Sequence, residues 1–386
     1  MEIYNLGKLN DSFAPSVLVR EKSGILLDCG KINQNSPPIP QLEKVDISKI
    51  EGVIISHAHF DHYGALPSLM KMGYDGSVFT GRLTSRIFYS WVKRKIGLFA
   101  GDFGDWLRNH LDPVNYFDEI SLNNYSIELL PSYHSFDSSM TLISNAHKTI
   151  LYTGDLGIND EAIQVNSEID AVLFDGTNLF LEAIDDPNVL LTGFIKIINS
   201  ILVSGLNVVI PVFTVPSLQL IEAIHYWLVS GLIPAKPNFY IDSKIELTQF
   251  LHEFYFDKKL ILSNQEDLIE PYIFLKHINS RKSPNSIEIQ PFLSKKDLHV
   301  QELISIYGSL EEVPWNRYVS TSLYYPLSNH FPRNRLPTFF KKLNAKMAIP
   351  IGDNYGREQN LLQWWRENIP NTHLQFFPLP ERKISV

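Results

Sequence analysis

The segment His57-Ala58-His59-Phe60-Asp61-His62 packs four potential metal ligands into six residues, directly behind the apolar run Gly52-Val53-Ile54-Ile55-Ser56. A strand through Val53, Ile54 and Ile55 must end in a loop at this point, and Tyr63-Gly64-Ala65-Leu66-Pro67-Ser68-Leu69-Met70 reads as a helix start. Alternate residues of an extended chain point the same way, so His57 and His59 can grip one ion. Asp61 and His62, at the coming helix N-terminus, are displaced enough to reach a second. Clustered imidazoles and carboxylates suit zinc, with manganese or iron also compatible. The alternative is a solvated His-rich loop, but four ligand types at fixed spacing behind a buried strand point to a metal-dependent hydrolase.

At 386 residues the chain has material for one large domain or two to three ordinary ones. Its single cysteine, Cys29, excludes an internal disulfide and points to a reducing, cytoplasmic setting. Following Leu26-Leu27-Asp28, it reads as a buried small hydrophobe. Met1-Glu2-Ile3-Tyr4 lacks a basic region followed by an apolar stretch, so no signal peptide is expected. No run of 18 apolar residues suggests a membrane span, and no membrane partner is expected. A net charge of -8 gives no global attraction for nucleic acid, so a polyanion must be held by a local basic strip and by the metals.

The first third alternates short strands and turns. Ile3 to Leu6, Ser16 to Arg20 and Gly24 to Asp28 read as an antiparallel meander, and Val53 to Ser56 and Val78 to Thr80 as strands joined through a Leu66 to Met72 helix. Leu83 to Lys95 has helical spacing; Tyr125 to Leu130, Met140 to Ser144, Thr149 to Thr153 and Ala171 to Phe174 read as strands. Sheets that end strands at a polar loop cluster, with helices outside, suggest a layered αββα sandwich. From about Asn188 the pattern becomes βαβ: helices at Val189 to Val203, Ser217 to Ser230 and Ile245 to Phe256, strands at Asn207 to Pro211 and Phe239 to Ile241. This implies a parallel sheet and a second domain. Asn279 to Ser286 reads as an exposed loop, Trp315 to Ser322 restarts a strand, Leu336 to Leu343 is a helix and Ala348 to Ile351 a last strand.

Two further polar islands follow strands: Leu130-Pro131-Ser132-Tyr133-His134-Ser135 and Leu151-Tyr152-Thr153-Gly154-Asp155. His134 alone would read as a turn residue and Asp155 alone as a turn cap; coming in this order after the first cluster, both read as ligands. Two ions about 3.5–4 Å apart need a bridging carboxylate, and Asp155 is the candidate.

This layout resembles the metallo-β-lactamase superfamily, and the likeness extends over nearly the whole chain. Asp175-Gly176-Thr177 stands where the β-CASP nucleases carry an acidic residue at a strand end. The βαβ region, with Asn207-Val208-Val209-Ile210-Pro211-Val212-Phe213 and Tyr240-Ile241-Asp242-Ser243, is similar to the β-CASP insertion. The return through Asn329-His330-Phe331-Pro332 and Lys346-Met347-Ala348-Ile349-Pro350-Ile351 is similar to the end of ribonuclease J-like proteins. The resemblance implies an α/β fold, a metallo-β-lactamase αββα sandwich with an inserted β-CASP-like α/β domain. Its parts would be residues 1–185, the insertion 186–314, and a return over 315–386.

Carried over by position, the resemblance implies that His57, His59 and His134 hold the first ion, Asp61 and His62 the second, with Asp155 bridging. Asp175 would orient His330, the proton donor to the leaving oxygen, and Asp61 would share in the chemistry. Gly352 stands where the family usually has its last metal-binding histidine. One tight zinc site and a weaker second site, completed by Asp353 or water, follow from that departure. A metal lowers the pKa of its bound water from about 15.7 to about 7, which supplies hydroxide for phosphodiester cleavage. Arg333 and Arg335, with Lys341, Lys342 and Ser322, are the candidate substrate contacts; Trp315, Tyr324, Tyr325 and Phe331 could stack bases, although core packing suits most of them better.

The leading expectation is a nuclease acting on RNA or single-stranded DNA in a cleft between two domains. A small-molecule phosphodiesterase or lactonase of the same superfamily, and a scaffold with reduced activity, are the alternatives. A nucleic-acid partner is expected, and a homodimer is compatible with the sequence. RNA against DNA, end against internal cleavage, pathway and oligomeric state stay open at this level.

Overall fold

The computed structural model describes residues 1–7, 14–31, 42, 45–95, 97–135, 137–157, 165, 167–179, 187–203, 208–212, 231–233, 238–242, 273–276, 286–291, 303–306, 322–325, 330–352, 358–378 and 382–386. The chain divides into two compact units, one formed by Met1–Ile184 with Asn329–Val386, the other by Asp185–Ser328.

The first unit opens with β1 (Glu2–Asn5), β2 (Val17–Arg20) and β3 (Gly24–Leu27), the expected antiparallel meander. Next come β4 (Ile50–Ile55), α1 (Phe60–Tyr63), α2 (Leu66–Lys71), β5 (Ser77–Gly81), α3 (Arg82–Arg94), α4 (Asp102–His110) and β6 (Leu111–Val114). Helix begins at Phe60, before the stretch where the sequence pattern starts it, so Asp61 and His62 already lie in a helical turn. The chain then forms β7 (Glu119–Leu122), β8 (Tyr125–Pro131), β9 (Ser139–Ser144), β10 (Thr149–Tyr152) and β11 (Ala171–Asp175). The second unit follows with α5 (Pro187–Val203), β12 (Val208–Val212), β13 (Asn238–Asp242), β14 (Ile273–Lys276), β15 (Ser286–Pro291), β16 (Leu303–Ile306) and β17 (Ser322–Tyr325). The return supplies α6 (Leu336–Leu343), β18 (Met347–Ile351), α7 (Glu358–Asn368), β19 (His373–Leu374) and β20 (Lys383–Ser385).

In the first unit, one seven-stranded sheet runs β20-β1-β2-β3-β4-β5-β6 and the other runs β19-β18-β11-β10-β9-β8-β7. Strand alternation explains why this is a sandwich. In β10 and β11, Ile150, Tyr152, Ala171 and Leu173 join Ile3, Val19, Ile25 and Ile54 of the other sheet in one core. The intervening Leu151, Val172 and Phe174 face a second core, closed by Phe339, Phe340 and Leu343 of α6 and by Leu361 and Trp365 of α7. Successive side chains of a strand leave on opposite faces, so a strand buried on both faces reads as a continuous apolar run. Helices α1, α3 and α4 and the 3-10 turn Gly97–Phe99 contribute a third apolar layer, in which Tyr63, Phe88, Trp91, Phe99 and Phe103 pack ring against ring. The αββα sandwich with an α/β insertion is therefore the architecture.

Parallel pairing of β10 with β11 and of β11 with β18 brings their C-terminal ends to one edge of the sheet. Strand β8 runs in the same direction, being two antiparallel steps from β10. The polar islands of His134, Asp155 and Asp175 stand at the ends of β8, β10 and β11, while the His57 to His62 cluster follows β4 of the other sheet.

In the second unit all six described strands pair in parallel, in the order β14-β13-β15-β12-β16-β17. The first compact unit resumes at Asn329, and β17 extends the parallel sheet of the second through its pairing with β16. The helices expected at Ser217 to Ser230 and Ile245 to Phe256 lie outside the described residues. So do the strand at residues 315–321, most of the loop after Asn279, and Asp353. No helix among the described residues is long and apolar enough to cross a membrane.

Candidate metal centre

Six sequence-predicted ligands converge at the strand ends of the first unit. His57, His59, His134 and Asp155 form one group whose ligand atoms lie within 4.8 Å of one another; Asp61, His62 and Asp155 form a second, and Asp155, Asp175 and His330 a third. One carboxylate is common to all three. Asp155 Oδ2 stands 3.7 Å from His57 Nε2, 3.3 Å from His62 Nε2 and 3.3 Å from His134 Nε2. His59 Nδ1 is 3.3 Å from His134 Nε2, and Asp61 Oδ2 is 3.6 Å from His62 Nε2.

The fit to a cation can be judged from the polar atoms themselves. The Nε2 atoms of His57, His59 and His62 are buried without a hydrogen-bond partner. Burying an unpaired polar atom costs free energy, and native structures avoid it unless something else takes the lone pair. Three orphaned imidazole nitrogens around carboxylates match the donor set of zinc or a similar divalent ion.

A shell of hydrogen bonds stands behind the candidate ligands and orients their rings. Asp28 accepts from the Ser56 amide (2.8 Å), the Ser56 hydroxyl (2.9 Å) and the Tyr152 hydroxyl (2.7 Å), and its Oδ2 lies 2.7 Å from His62 Nδ1. The Ser56 hydroxyl also lies 2.9 Å from His57 Nδ1. We assign the ring proton of both histidines to Nδ1, which donates to this pair and leaves Nε2 with its lone pair toward the cavity. Asp28, Ser56 and Tyr152 were not anticipated from the sequence. The available signal was an acid directly after the buried strand β3, the same strand-end position that marks Asp155 and Asp175.

His134 is placed by Ser138. The Ser138 hydroxyl accepts from the His134 amide (3.0 Å), the Ser135 amide (2.9 Å) and the Ser132 hydroxyl (2.8 Å), and donates to the Ser135 carbonyl (2.8 Å). The His134 loop is tied to the His57 loop by the Ser139 amide donating to Ser56 O (2.9 Å), and to the Asp155 loop by the Gly157 amide donating to Ser132 O (2.8 Å). Gly157 is required at that crossing, since a Cβ there would lie 1.9 Å from Tyr133 O.

Charges in the cavity compensate one another. Burial pushes the His57 and His59 imidazoles well below their usual range, helped by the neighbouring imidazoles. Burial alone would also lower His62, but Asp155, Asp28 and Asp61 outweigh it and raise it well above. Burial raises Asp61 to about 6. Asp155 is held well below the carboxylate range because His62, His134 and His330 overcome its burial. A buried imidazole that gathers a proton among three carboxylates occupies a place where a cation is favoured.

Asp175, the last residue of β11, faces His330 at 2.8 Å through Oδ2 and Nδ1. The carboxylate is oriented by the Leu156 amide (3.1 Å) and the Thr177 amide (2.9 Å), while the Asn178 side chain donates to His330 O (2.9 Å). Burial opposes a charge on His330, but Asp175 and Asp155 raise its pKa to about 9.

Other predicted residues fall elsewhere. Arg333 lies over the Trp364 ring, 4.5 Å from its centroid, and Arg335 is half-buried in the same turn. Phe331 is buried against Phe339 and serves the core. Ser322, Tyr324 and Tyr325 belong to β17, and their side chains lie outside the described residues. Gly352 follows β18 with φ +135°, beside Gly176 and Thr177. Cys29 is buried, as expected, and burial pushes its thiol far above the usual range.

Comparison with known proteins agrees with this construction. Residues 9–77 match the family model described as the metallo-beta-lactamase superfamily. The paired seven-stranded sheets and the histidine–aspartate cluster at their edge are consistent with that match. Several proteins that the chain is similar to are named as ribonucleases. Probable RNase MJ4 of Methanocaldococcus jannaschii is 32% identical over 52% of this chain and 50% of its own length. A ribonuclease of Thermus thermophilus is 26% identical over 57% of this chain and 52% of its own length. The chain thus spans about half the length of these two relatives. A solved structure of a protein of unknown function from Enterococcus faecalis V583 shares the fold with a TM-score of 0.65 at 14% identity, covering 100% of this chain and 99% of that one.

Proposed function

We propose that this chain is a zinc-dependent phosphodiesterase that cleaves RNA. The observation that carries the reading is the set of buried, partnerless Nε2 atoms of His57, His59 and His62 gathered around Asp155. The naming of the relatives as ribonucleases supports the choice of substrate. The lone buried cysteine favours a reducing, cytoplasmic setting.

In this reading His57, His59 and His134 hold one ion, Asp61 and His62 the other, and Asp155 bridges. Bound ions would activate water and neutralise charge building on the phosphate oxygens. Asp61, beside His62 and open to the cavity, would accept a hydrogen bond from the attacking water and direct it at phosphorus. As the bond from phosphorus to the leaving oxygen breaks, His330 would give that oxygen a proton. Asp175 accepts the Nδ1 proton of His330 and so leaves Nε2 as the donor. Arg333, Arg335 and Ser322 are proposed contacts to the substrate. The unit Asp185–Ser328 is read as the β-CASP-like insertion.

Two variants test this. His59→Ala should lower the metal content of the purified protein and abolish hydrolysis, whereas a wild type that holds no metal and gains no activity with zinc or manganese would end the hydrolase reading. His330→Ala should keep its metal and lose about 10²–10⁴-fold on RNA, but far less on bis-nitrophenyl phosphate, whose leaving group needs no proton. Equal losses on both substrates would place His330 outside the chemistry.

A further inference from the structure

Between Asp75 and Asp102 the chain carries five basic residues, Arg82, Arg86, Lys93, Arg94 and Lys95, and no acidic one, although the whole protein has a net charge of -8. Helix α3 arranges most of this charge on one side. Its buried face is Ile87, Phe88, Trp91 and Val92, while Arg82, Arg86 and Lys93 are exposed. Spacings of four and seven residues put these three cations in one row along the helix. With a rise of about 1.5 Å per residue the row is about 16 Å long.

The row starts beside the metal centre. The Leu83 and Thr84 amides at the first turn of α3 donate to Asp137 Oδ2 at 2.7 and 2.9 Å, and Asp137 belongs to the loop that presents His134. The buried face of the same helix rests on Tyr63, with ring centroids 4.9 Å from Phe88 and 6.0 Å from Trp91. Tyr63 closes the short helix that carries Asp61 and His62. One end of the cationic row is therefore fixed to the loops of both ligand groups.

A solvated helix face usually mixes both signs, with i,i+4 ion pairs. Here, among the described residues, Arg82, Arg86 and Lys93 form no ion pair, and the helix's own first turn carries no acid; the one carboxylate at its N-terminus, Asp137, is taken up by the Leu83 and Thr84 amides. An arginine at a helix N-terminus opposes the helix dipole. The fold does not need these charges, and a polyanion would.

We propose that the outer face of α3 is a phosphate track that leads single-stranded RNA to the metal centre, with Arg82, Arg86 and Lys93 each taking a backbone phosphate. This rests on the nuclease reading above and adds a path for the substrate. The track is independent of sequence, since it offers charge and no base-reading contacts. It is also the local basic strip that an acidic protein needs to hold a polyanion.

The test is the triple variant Arg82→Gln/Arg86→Gln/Lys93→Gln in the full chain, all exposed positions outside the candidate ligand set. Binding of a labelled oligouridylate is followed by fluorescence polarisation at 50 and 200 mM salt, alongside hydrolysis of bis-nitrophenyl phosphate. Each contact to a single strand adds about 0.7 to the logarithmic salt slope, so losing three should flatten it by about 2. Across that salt range the wild type should lose about 20-fold more affinity than the variant. Ester hydrolysis and metal content should match the wild type. A variant that binds and cuts RNA with unchanged slope overturns the track and leaves the nuclease reading standing. The same result with lost binding to phosphatidylserine vesicles would assign the row to a membrane surface instead. A wild type that hydrolyses the ester but neither binds nor cuts RNA removes the nuclease reading, and the track with it.

Discussion

Asp28→Asn should weaken one metal site selectively, and the structure sets the size of the effect. The carboxylate receives three donated hydrogen bonds, from the Ser56 amide, the Ser56 hydroxyl and the Tyr152 hydroxyl, and faces His62 Nδ1 at 2.7 Å. Asparagine keeps the shape and tolerates the left-handed backbone of this position, where φ is +54°. It can still accept from the Ser56 amide through its oxygen. Its amide nitrogen then replaces Oδ2 and confronts the His62 Nδ1 proton with another donor. The imidazole escapes by moving its proton to Nε2, the atom that lies 3.3 Å from Asp155 and would hold the ion. Losing such a partner behind a ligating histidine typically costs 10–100-fold in affinity, or about 1.4–2.7 kcal/mol. Metal-free wild type and variant, titrated with zinc against a competing chelator, should therefore differ mainly in the constant for the Asp61–His62 ion. The ion held by His57, His59 and His134 should shift less, since Ser56 still supports His57. Two unchanged constants in a folded variant would show that Asp28 does not set the His62 tautomer.

Ser138→Ala removes the hydroxyl that accepts from the His134 and Ser135 amides, so two buried donors lose their partner at about 1–3 kcal/mol each. Both the unfolding midpoint and the affinity of the first ion should fall, and a drop in stability with normal metal binding would deny Ser138 its part in placing His134. Asp170 accepts from the Thr149 amide, Lys148 and Lys346, which lowers its pKa to about 2 against its partial burial. A depressed folded pKa gives stability that is present above the unfolded value and lost as pH falls through the folded one. Asp170→Asn should thus be less stable than wild type at pH 6, with the gap closing between about pH 4 and pH 2; a gap independent of pH would contradict the assignment. Gly352→His does not meet a wall, because the nearest atom to an added Cβ is 3.6 Å away, but its φ of +135° suits glycine alone. The variant should lose about 1–3 kcal/mol of stability, measured by denaturant unfolding, instead of simply gaining a ligand; wild-type stability would mean that the strand end relaxes freely.

The clustering of the candidate ligands was legible in the sequence because each is a polar residue placed soon after an apolar strand, and strand ends are recorded locally in the alternation and length of apolar runs. The meander β1 to β3, helices α3 and α6 and strand β11 were legible for the same reason. What tertiary structure decided is everything that depends on residues distant along the chain. Asp28, Ser56 and Tyr152 form one hydrogen-bonded group only because β3, β4 and β10 end at the same edge, and no local pattern links them. The pairing of His330 with Asp175 spans 155 positions and depends on the returning chain being held against the end of β11, where the Asn178 side chain donates to His330 O. Residues 322–325 carry a strand pattern that suits either sheet; pairing with β16 assigned them to the second unit. Charge and position in the sequence single out Arg333 as a candidate phosphate contact, but its place over the Trp364 ring is set by tertiary packing of the turn before α6. The basic row on α3 was present in the sequence as isolated letters. Only burial of Phe88 and Trp91 against Tyr63 turned those cations outward together and set their first residue beside the loop of His134.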